Sequence, residues 1–350
     1  MWASLHNHSQ YSILDGAIPV QKLCLKAVEA ECSAIALTDH GALFGAVEFY
    51  KACKEAKIKP IIGCELYVGP ESRFDKKKEY NQRSSYHLTL IAKNKAGYHN
   101  LAKLSSIGYL EGFYYNPRID HEVLKKHSEG LICLSGCSNS HLAKTLLLGK
   151  EEEIQNTIAF YRDLFKDDYY FELQRHEMSE EDLKSHGFYQ ESWLLQYYQD
   201  YTQKQKRVNE RLIELSRTLG IKVVATTNAH YLEKGDYQAH EILLNIQSGE
   251  PIENLEKDSY GNIKQRLPNP KRKVFPSHEY YFKTYSEMKT LYQDVPEALL
   301  NTLEVAEKCT LELDFKTKHY PVYKAPDNLS SEDYLKKLCE EGIAKRYTED

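Results

Sequence analysis

The sequence predicts an α/β fold, a distorted seven-stranded (β/α) barrel, and three observations carry that prediction. Seven short apolar, β-leaning segments recur along the chain. Stretches of helical period separate most of them. Six of the seven strands end in, or run straight into, a side chain able to bind a metal, which is the end where a (β/α) barrel builds its active site.

The first strand is expected over residues 3–8, closing on His6 and His8. A helix follows over 20–30, with Leu23, Ala27 and Ala30 facing one way. Strand 33–38 leads to Asp39 and His40, and then to a helix over 44–56. Strand 59–68 contains Glu65 and strand 86–92 contains His87. Helical patterns at 100–109 and 120–127 precede strand 130–135, which Cys137 follows. Helix 154–165, strand 169–174, helix 204–219 and strand 221–227 complete the series, and Asn228 and His230 come next. Strands alternating with helices imply parallel pairing through right-handed crossovers. Continuous apolar runs such as Leu131-Ile132-Cys133-Leu134 suit strands buried on both faces.

Two stretches interrupt this rhythm and read as surface insertions. One, near 178–201, is crowded with aromatics, including Phe188, Trp193, Tyr197, Tyr198 and Tyr201. The other, near 253–275, is polar and carries the basic triplet Lys271-Arg272-Lys273, whose plain reading is a solvated face. Residues 1–277 are expected to form the metal-binding barrel. Residues 278–350, mainly helical, are expected to form a separate extension.

The 350 residues carry a net charge of −5, so no global basic field attracts nucleic acid. Eight cysteines without a CxxC pair suit reduced thiols and a cytoplasmic setting. No run approaches the roughly 20 apolar residues of a membrane span.

Each donor has its own setting. His6 and His8 stand at i and i+2 of a strand, so both imidazoles face the same way. Asp15 lies on the connecting loop. His40 is the expected ligand of its pair, with Asp39 supporting an imidazole from behind or serving as a helix cap. Glu65 follows a buried apolar run, and a carboxylate there can bridge two ions. Cys137 emerges after a glycine at a strand end, whereas Cys24, Cys32, Cys53, Cys64 and Cys133 read as packing residues. Asn228 offers a neutral carbonyl and His230 an imidazole, while His176 is expected behind or beside the pocket. The remaining histidines, among them His121, His278 and His319, read as surface residues. Six to nine donors exceed one tetrahedral ion, so two or three divalent ions are expected, zinc or manganese above all. Clustered ions open to solvent suit hydrolysis of a phosphoryl group.

The motifs HNHSQYSILDG, ALTDHG, GCELYV, YHLTLIA, LSGC and TTNAHY, in this order, resemble the PHP (polymerase and histidinol phosphatase) domain. The closest likeness is to the PHP domain that opens bacterial DNA polymerase III alpha subunits. Leu43–Tyr50, written LFGAVEFY, and PEALLNT at 296–302 fit those subunits rather than the stand-alone phosphatases. The resemblance implies three metals. His6, His8, Glu65 and Asn228 would surround one; Glu65, His87 and Cys137 a second; Asp15, His40 and His230 the third. Asn228 departs from the aspartate of metal-binding members. The resemblance further implies a segment of a replicative DNA polymerase, with residues 278–350 leading into a truncated palm that lacks the polymerase carboxylates. On that basis the segment is expected to be a metal-dependent phosphoesterase or 3′–5′ exonuclease. The alternative is a catalytically silent module that stabilises the polymerase and docks a proofreading exonuclease. DNA, the sliding clamp and the clamp loader are the other implied partners.

Overall fold

The computed structural model describes residues 1–76, 85–318 and 320–347; His319 lies outside them. In chain order the barrel and its covering helices are β1 (Trp2–Ser4), α1 (Val20–Glu29), β2 (Cys32–Leu37), α2 (Ala46–Glu55), β3 (Lys59–Val68), β4 (Tyr86–Ala92) and α3 (Lys95–Leu110). They continue as β5 (Phe113–Tyr114), β6 (Asn116–Ile119), α4 (His121–Lys126), β7 (Leu131–Leu134), α5 (His141–Leu148), α6 (Glu151–Phe165), β8 (Tyr169–Gln174), α7 (Glu180–Ser185), α8 (Ser192–Leu219) and β9 (Val223–Thr226). The remainder comprises α9 (Tyr237–Ser248), β10 (Glu253–Lys257), β11 (Ile263–Pro268), α10 (Tyr285–Leu291), α11 (Glu297–Lys308) and α12 (Ser331–Arg346).

Seven strands of a nine-stranded sheet follow one another in the order β1-β2-β3-β4-β7-β8-β9. Pairing is parallel except at β4, which runs antiparallel to both β3 and β7. This corrects the expectation of parallel pairing throughout. Among the described residues no helix lies between β3 and β4, and without a crossover the next strand pairs in the opposite sense. The reversal matters for chemistry. It puts the first turn of β4, with His87, at the same pole as the last residues of its neighbours.

β7, β8 and β9 are buried along their whole length, as strands covered on both faces must be. The short pair β5–β6 lies off the main path, with β6 joining the end of β3 in parallel. Two to four residues that include Pro117 give too little alternation to be recognised from sequence.

The seam between β9 and β1 is closed in two ways. At the donor pole the chain continues past both strands, where His8 N donates to Ala229 O at 2.8 Å and Ala229 N to His6 O at 3.3 Å. Lower down, α11 lies across the seam. Thr302 Oγ1 accepts from Ala3 N at 3.0 Å, and Asn301 Nδ2 donates to Val223 O at 2.8 Å. Val305, Ala306 and Cys309 enter one core with Ala3, Leu5, Tyr170 and Val224. For that reason the first compact unit is Met1–Glu312 and the second Leu313–Asp350. α11, although it follows residue 277, thus packs within the first unit.

The aromatic stretch buries Phe188, Leu194 and Tyr198 with Met178 and Leu183 in a small cluster of its own. The polar stretch is the exposed hairpin β10–β11. The basic triplet is split. Arg272 is buried and paired at 2.6 Å with Glu191, and it also pairs with Glu241. No helix of the described residues is long and apolar enough to cross a membrane.

Candidate metal centre

The nine expected donors converge at one pole of the barrel. Glu65 stands at their middle, buried on β3. Its Oε2 lies 3.3 Å from His8 Nε2, 3.6 Å from His6 Nε2 and 3.0 Å from His40 Nδ1. Its Oε1 lies 3.0 Å from His87 Nδ1 and accepts from Cys137 Sγ at 3.4 Å. A single carboxylate therefore meets four imidazoles and a thiol.

Around it the donors fall into groups. His6, His8 and Glu65 form the first, with Asn228 Oδ1 3.0 Å from His8 Nε2. Glu65, His87 and Cys137 form another, the thiol sulfur standing 3.6 Å from His87 Nδ1. In the third, Asp15 Oδ2 is 2.8 Å from His40 Nε2 and 3.6 Å from His230 Nε2. His8, His40 and His230 also offer nitrogens within one ion's reach.

Local backbone accounts for these placements. Gly136 takes φ +86°, and a Cβ there would meet Ser140 Cβ at 2.9 Å and His87 O at 3.0 Å; only glycine lets the chain turn so that Cys137 faces Glu65. Asn228 sits at φ 51°, a left-handed conformation that asparagine tolerates better than most residues. Its own carbonyl, 2.8 Å from His230 Nδ1, leaves His230 Nε2 to face Asp15.

The charges of the protein alone set up strong opposition here. Burial works against charge on His6, but the carboxylates of Glu172 and Glu65 carry its pKa up to about 10. Burial, with His40 and His230 beside it, pulls His8 well below its ordinary value. Burial opposes ionisation of Glu65 as well, yet His87, His6 and His40 hold it well below the carboxylate range. Burial next to the Glu65 charge pushes the Cys137 thiol far up. Imidazole nitrogens 3.1 Å apart, as in His6 and His8, oppose lone pairs unless a proton or cation lies between them. Nitrogen, oxygen and sulfur donors so arranged suit zinc and its neighbours.

The supporting residues differ from simple expectation. Asp39 does not turn to an imidazole. It accepts from Ser9 N at 2.6 Å, Ser9 Oγ at 2.8 Å and Ser12 Oγ at 2.7 Å, and Ser12 Oγ lies 3.3 Å from His8 Nδ1. It thus fixes the loop that carries His8. His176 is buried beneath the cleft, with Nδ1 2.7 Å from Tyr201 Oη and Nε2 2.9 Å from Thr227 O. It braces the segment just before Asn228. Sequence reasoning missed Glu172, whose Oε1 lies 2.6 Å from His6 Nδ1 and accepts from Thr226 Oγ1 at 2.6 Å. The signal was present: a carboxylate inside the apolar strand Tyr-Tyr-Phe-Glu-Leu-Gln, the same setting that singles out Glu65. Of the histidines read as surface residues, His278 is buried against Phe188 and Tyr237, and His121 stacks on Phe160.

Residues 4–176 match the sequence profile of the PHP domain. The chain carries a PHP domain. Over nearly its whole length, on both sides of residue 176, the chain is similar to DNA polymerase III alpha subunits. The subunit from Chlamydia muridarum is 49% identical over 360 residues, covering 99% of this chain and 28% of that relative. That from Borreliella burgdorferi is 40% identical, with 98% and 27% covered, and that from Thermus aquaticus 38% identical, with 99% and 26% covered. The chain therefore spans little more than a quarter of the length of these curated relatives.

Proposed function

We propose that the PHP cleft holds two or three divalent ions, zinc or manganese, and hydrolyses phosphodiesters from the 3′ end of a DNA strand. The proposal places the segment within a cytoplasmic replicative DNA polymerase alpha subunit. The observation that carries it is Glu65, whose two oxygens face different donor groups, as a carboxylate shared between ions would. His6, His8 and Asn228 would hold one ion, His87 and Cys137 a second, and Asp15, His40 and His230 a third, with Glu65 common to the first two. Such ions supply Lewis acidity, polarising a phosphoryl oxygen and making water a better nucleophile. The chain's own residues do the rest. Glu172 and Ser12 orient His6 and His8, Asp39 clamps the loop beneath them, and Asp15, His40 and His87 face the mouth where substrate enters.

A second reading rests on Asn228. A neutral amide in place of a carboxylate leaves the first group short of one negative charge. In that reading the ions brace a silent module that docks a separate proofreading exonuclease. Sliding clamp and clamp loader are partners of the polymerase under both.

The test is elemental analysis followed by degradation of single-stranded DNA with manganese or zinc, for wild type, His8→Ala and Asn228→Asp. Activity in wild type that His8→Ala abolishes supports the exonuclease. Activity absent from wild type and gained by Asn228→Asp would overturn it in favour of the silent module. Equal activity in wild type and His8→Ala identifies a contaminant and removes the case for catalysis.

A further inference from the structure

The donors occupy only part of their cleft. The whole cavity is about 540 Å³, within the range of small-ligand sites, and it continues away from Cys137 between the 135–140 loop, α5 and α8. The walls of this arm carry an aliphatic patch, Leu142 and Leu147 from α5 and Val208 and Leu212 from α8, beside the polar Lys144, Gln205 and Asn209 of the same helices. Metal chemistry has no use for that patch.

Beside the donor cluster two cavity-lining side chains, Glu172 and Gln174, each keep one buried oxygen without a partner among the described residues. Gln174, at the end of β8, lines the cavity and is 4% exposed. Its Nε2 donates to Glu172 Oε1 at 2.9 Å and to Thr226 Oγ1 at 3.3 Å. Its Oε1 is buried with no hydrogen-bond donor among the described residues. A buried acceptor of this kind calls for a donor from outside the chain. At the mouth stand Lys204, Lys273 and Asp200, all exposed, with the rings of Tyr197 and Phe275. The occupant must accordingly be apolar on its faces, carry a donor on its edge and bring negative charge to the lysines and the donor cluster.

We propose that this arm is a nucleoside pocket. It seats the base and sugar of a terminal nucleotide between α5 and α8, with a base N–H donating to Gln174 Oε1. The phosphate then points to the donor cluster, and the preceding phosphates of the strand pass Lys204 and Lys273. The proposal deepens the phosphodiesterase reading and rests on it for the identity of the ligand.

The experiment uses the whole 350-residue chain loaded with manganese. Isothermal titration calorimetry compares deoxyadenosine 5′-monophosphate with 2-deoxyribose 5-phosphate, which has the same phosphate and sugar but no base. The nucleotide should bind about tenfold more tightly, the scale of one base contact. Val208→Trp, which fills the arm, should remove that advantage and leave sugar-phosphate affinity and manganese content as they were. Leu147→Trp, at a half-buried position, should do the same and serves if Val208→Trp lowers the melting temperature. Lys204→Ala should weaken both ligands alike. Equal affinity of the two ligands for wild type, or an undiminished base preference in both tryptophan variants, would overturn the pocket. Hydrolysis of bis(p-nitrophenyl) phosphate, which needs no base site, keeps that failure distinct from failure of the phosphodiesterase reading.

Discussion

The two poles of this barrel solve opposite problems. At the α11 pole the seam between β1 and β9 is shut by Val305, Ala306 and Cys309, and Thr302 and Asn301 satisfy the backbone. Burial there is mostly apolar and stabilises outright. At the donor pole His6, His8, Glu65, Glu172 and Asn228 are all buried, and burial of such groups is costly unless they are paired or coordinate metal. The difference teaches that stability and chemistry have been separated along the barrel axis. One end can tolerate crowded, opposed polar groups because the other holds the strands in register.

If that separation holds, Glu65→Ala should have the largest effect. It leaves four imidazoles without their shared anion, so elemental analysis should find at least two ions fewer. Saturating manganese should raise the melting temperature of the wild type, on the scale of about 4 kcal/mol at a thousandfold excess over Kd, and scarcely move the variant. Leu299→Ala, on the opposite pole, should cost about 2–4 kcal/mol in chemical denaturation with metal content intact. Metal loss in this variant would show that the poles are coupled. Glu172→Gln lies between them in kind: fold retained, but metal affinity reduced about 10–100-fold in competition with a chelator, as for other residues that orient a ligand from behind.

The smallest effect concerns His278, which is not one of the nine donors. Burial, with His186 beside it, lowers its pKa to about 3 in the folded chain. Folded and unfolded forms are both neutral above about pH 6.5, so the residue contributes nothing there. Below that, the unfolded chain gains a proton the folded chain refuses, and stability falls as pH drops. His278→Asn should flatten the dependence of stability on pH between about 6.5 and 4.5 by about one proton; identical slopes would refute it.

Much of this was legible in the sequence. β3, β4 and β8 have the boundaries read from apolar runs, because strands buried on both faces leave a strong pattern. The donors other than Asp15 could be found because each stands in or next to such a run, whereas Asp15 on its loop was marked only by the family resemblance. What could not be read was relative direction. Nothing in Tyr86–Ala92 says that it runs against its neighbours, since polarity depends on the connection and not on the strand. The short β5–β6 pair lacks enough residues to show a period. Hydroxyl and carboxylate partners were partly invisible for a similar reason: Asp39 points to Ser9 and Ser12, and such loop contacts carry no sequence period.

α11 has one more consequence. It ties together the first and last strands of the barrel, and those strands lead to His6 and His8 on one side and to Asn228 and His230 on the other. The barrel behaves as a split ring with a clasp. The clasp grips the ring low down, while His8 N to Ala229 O and Ala229 N to His6 O grip it beside the donors, so the spacing between His6 and His8 on one side and Asn228 and His230 on the other does not hang on α11 alone.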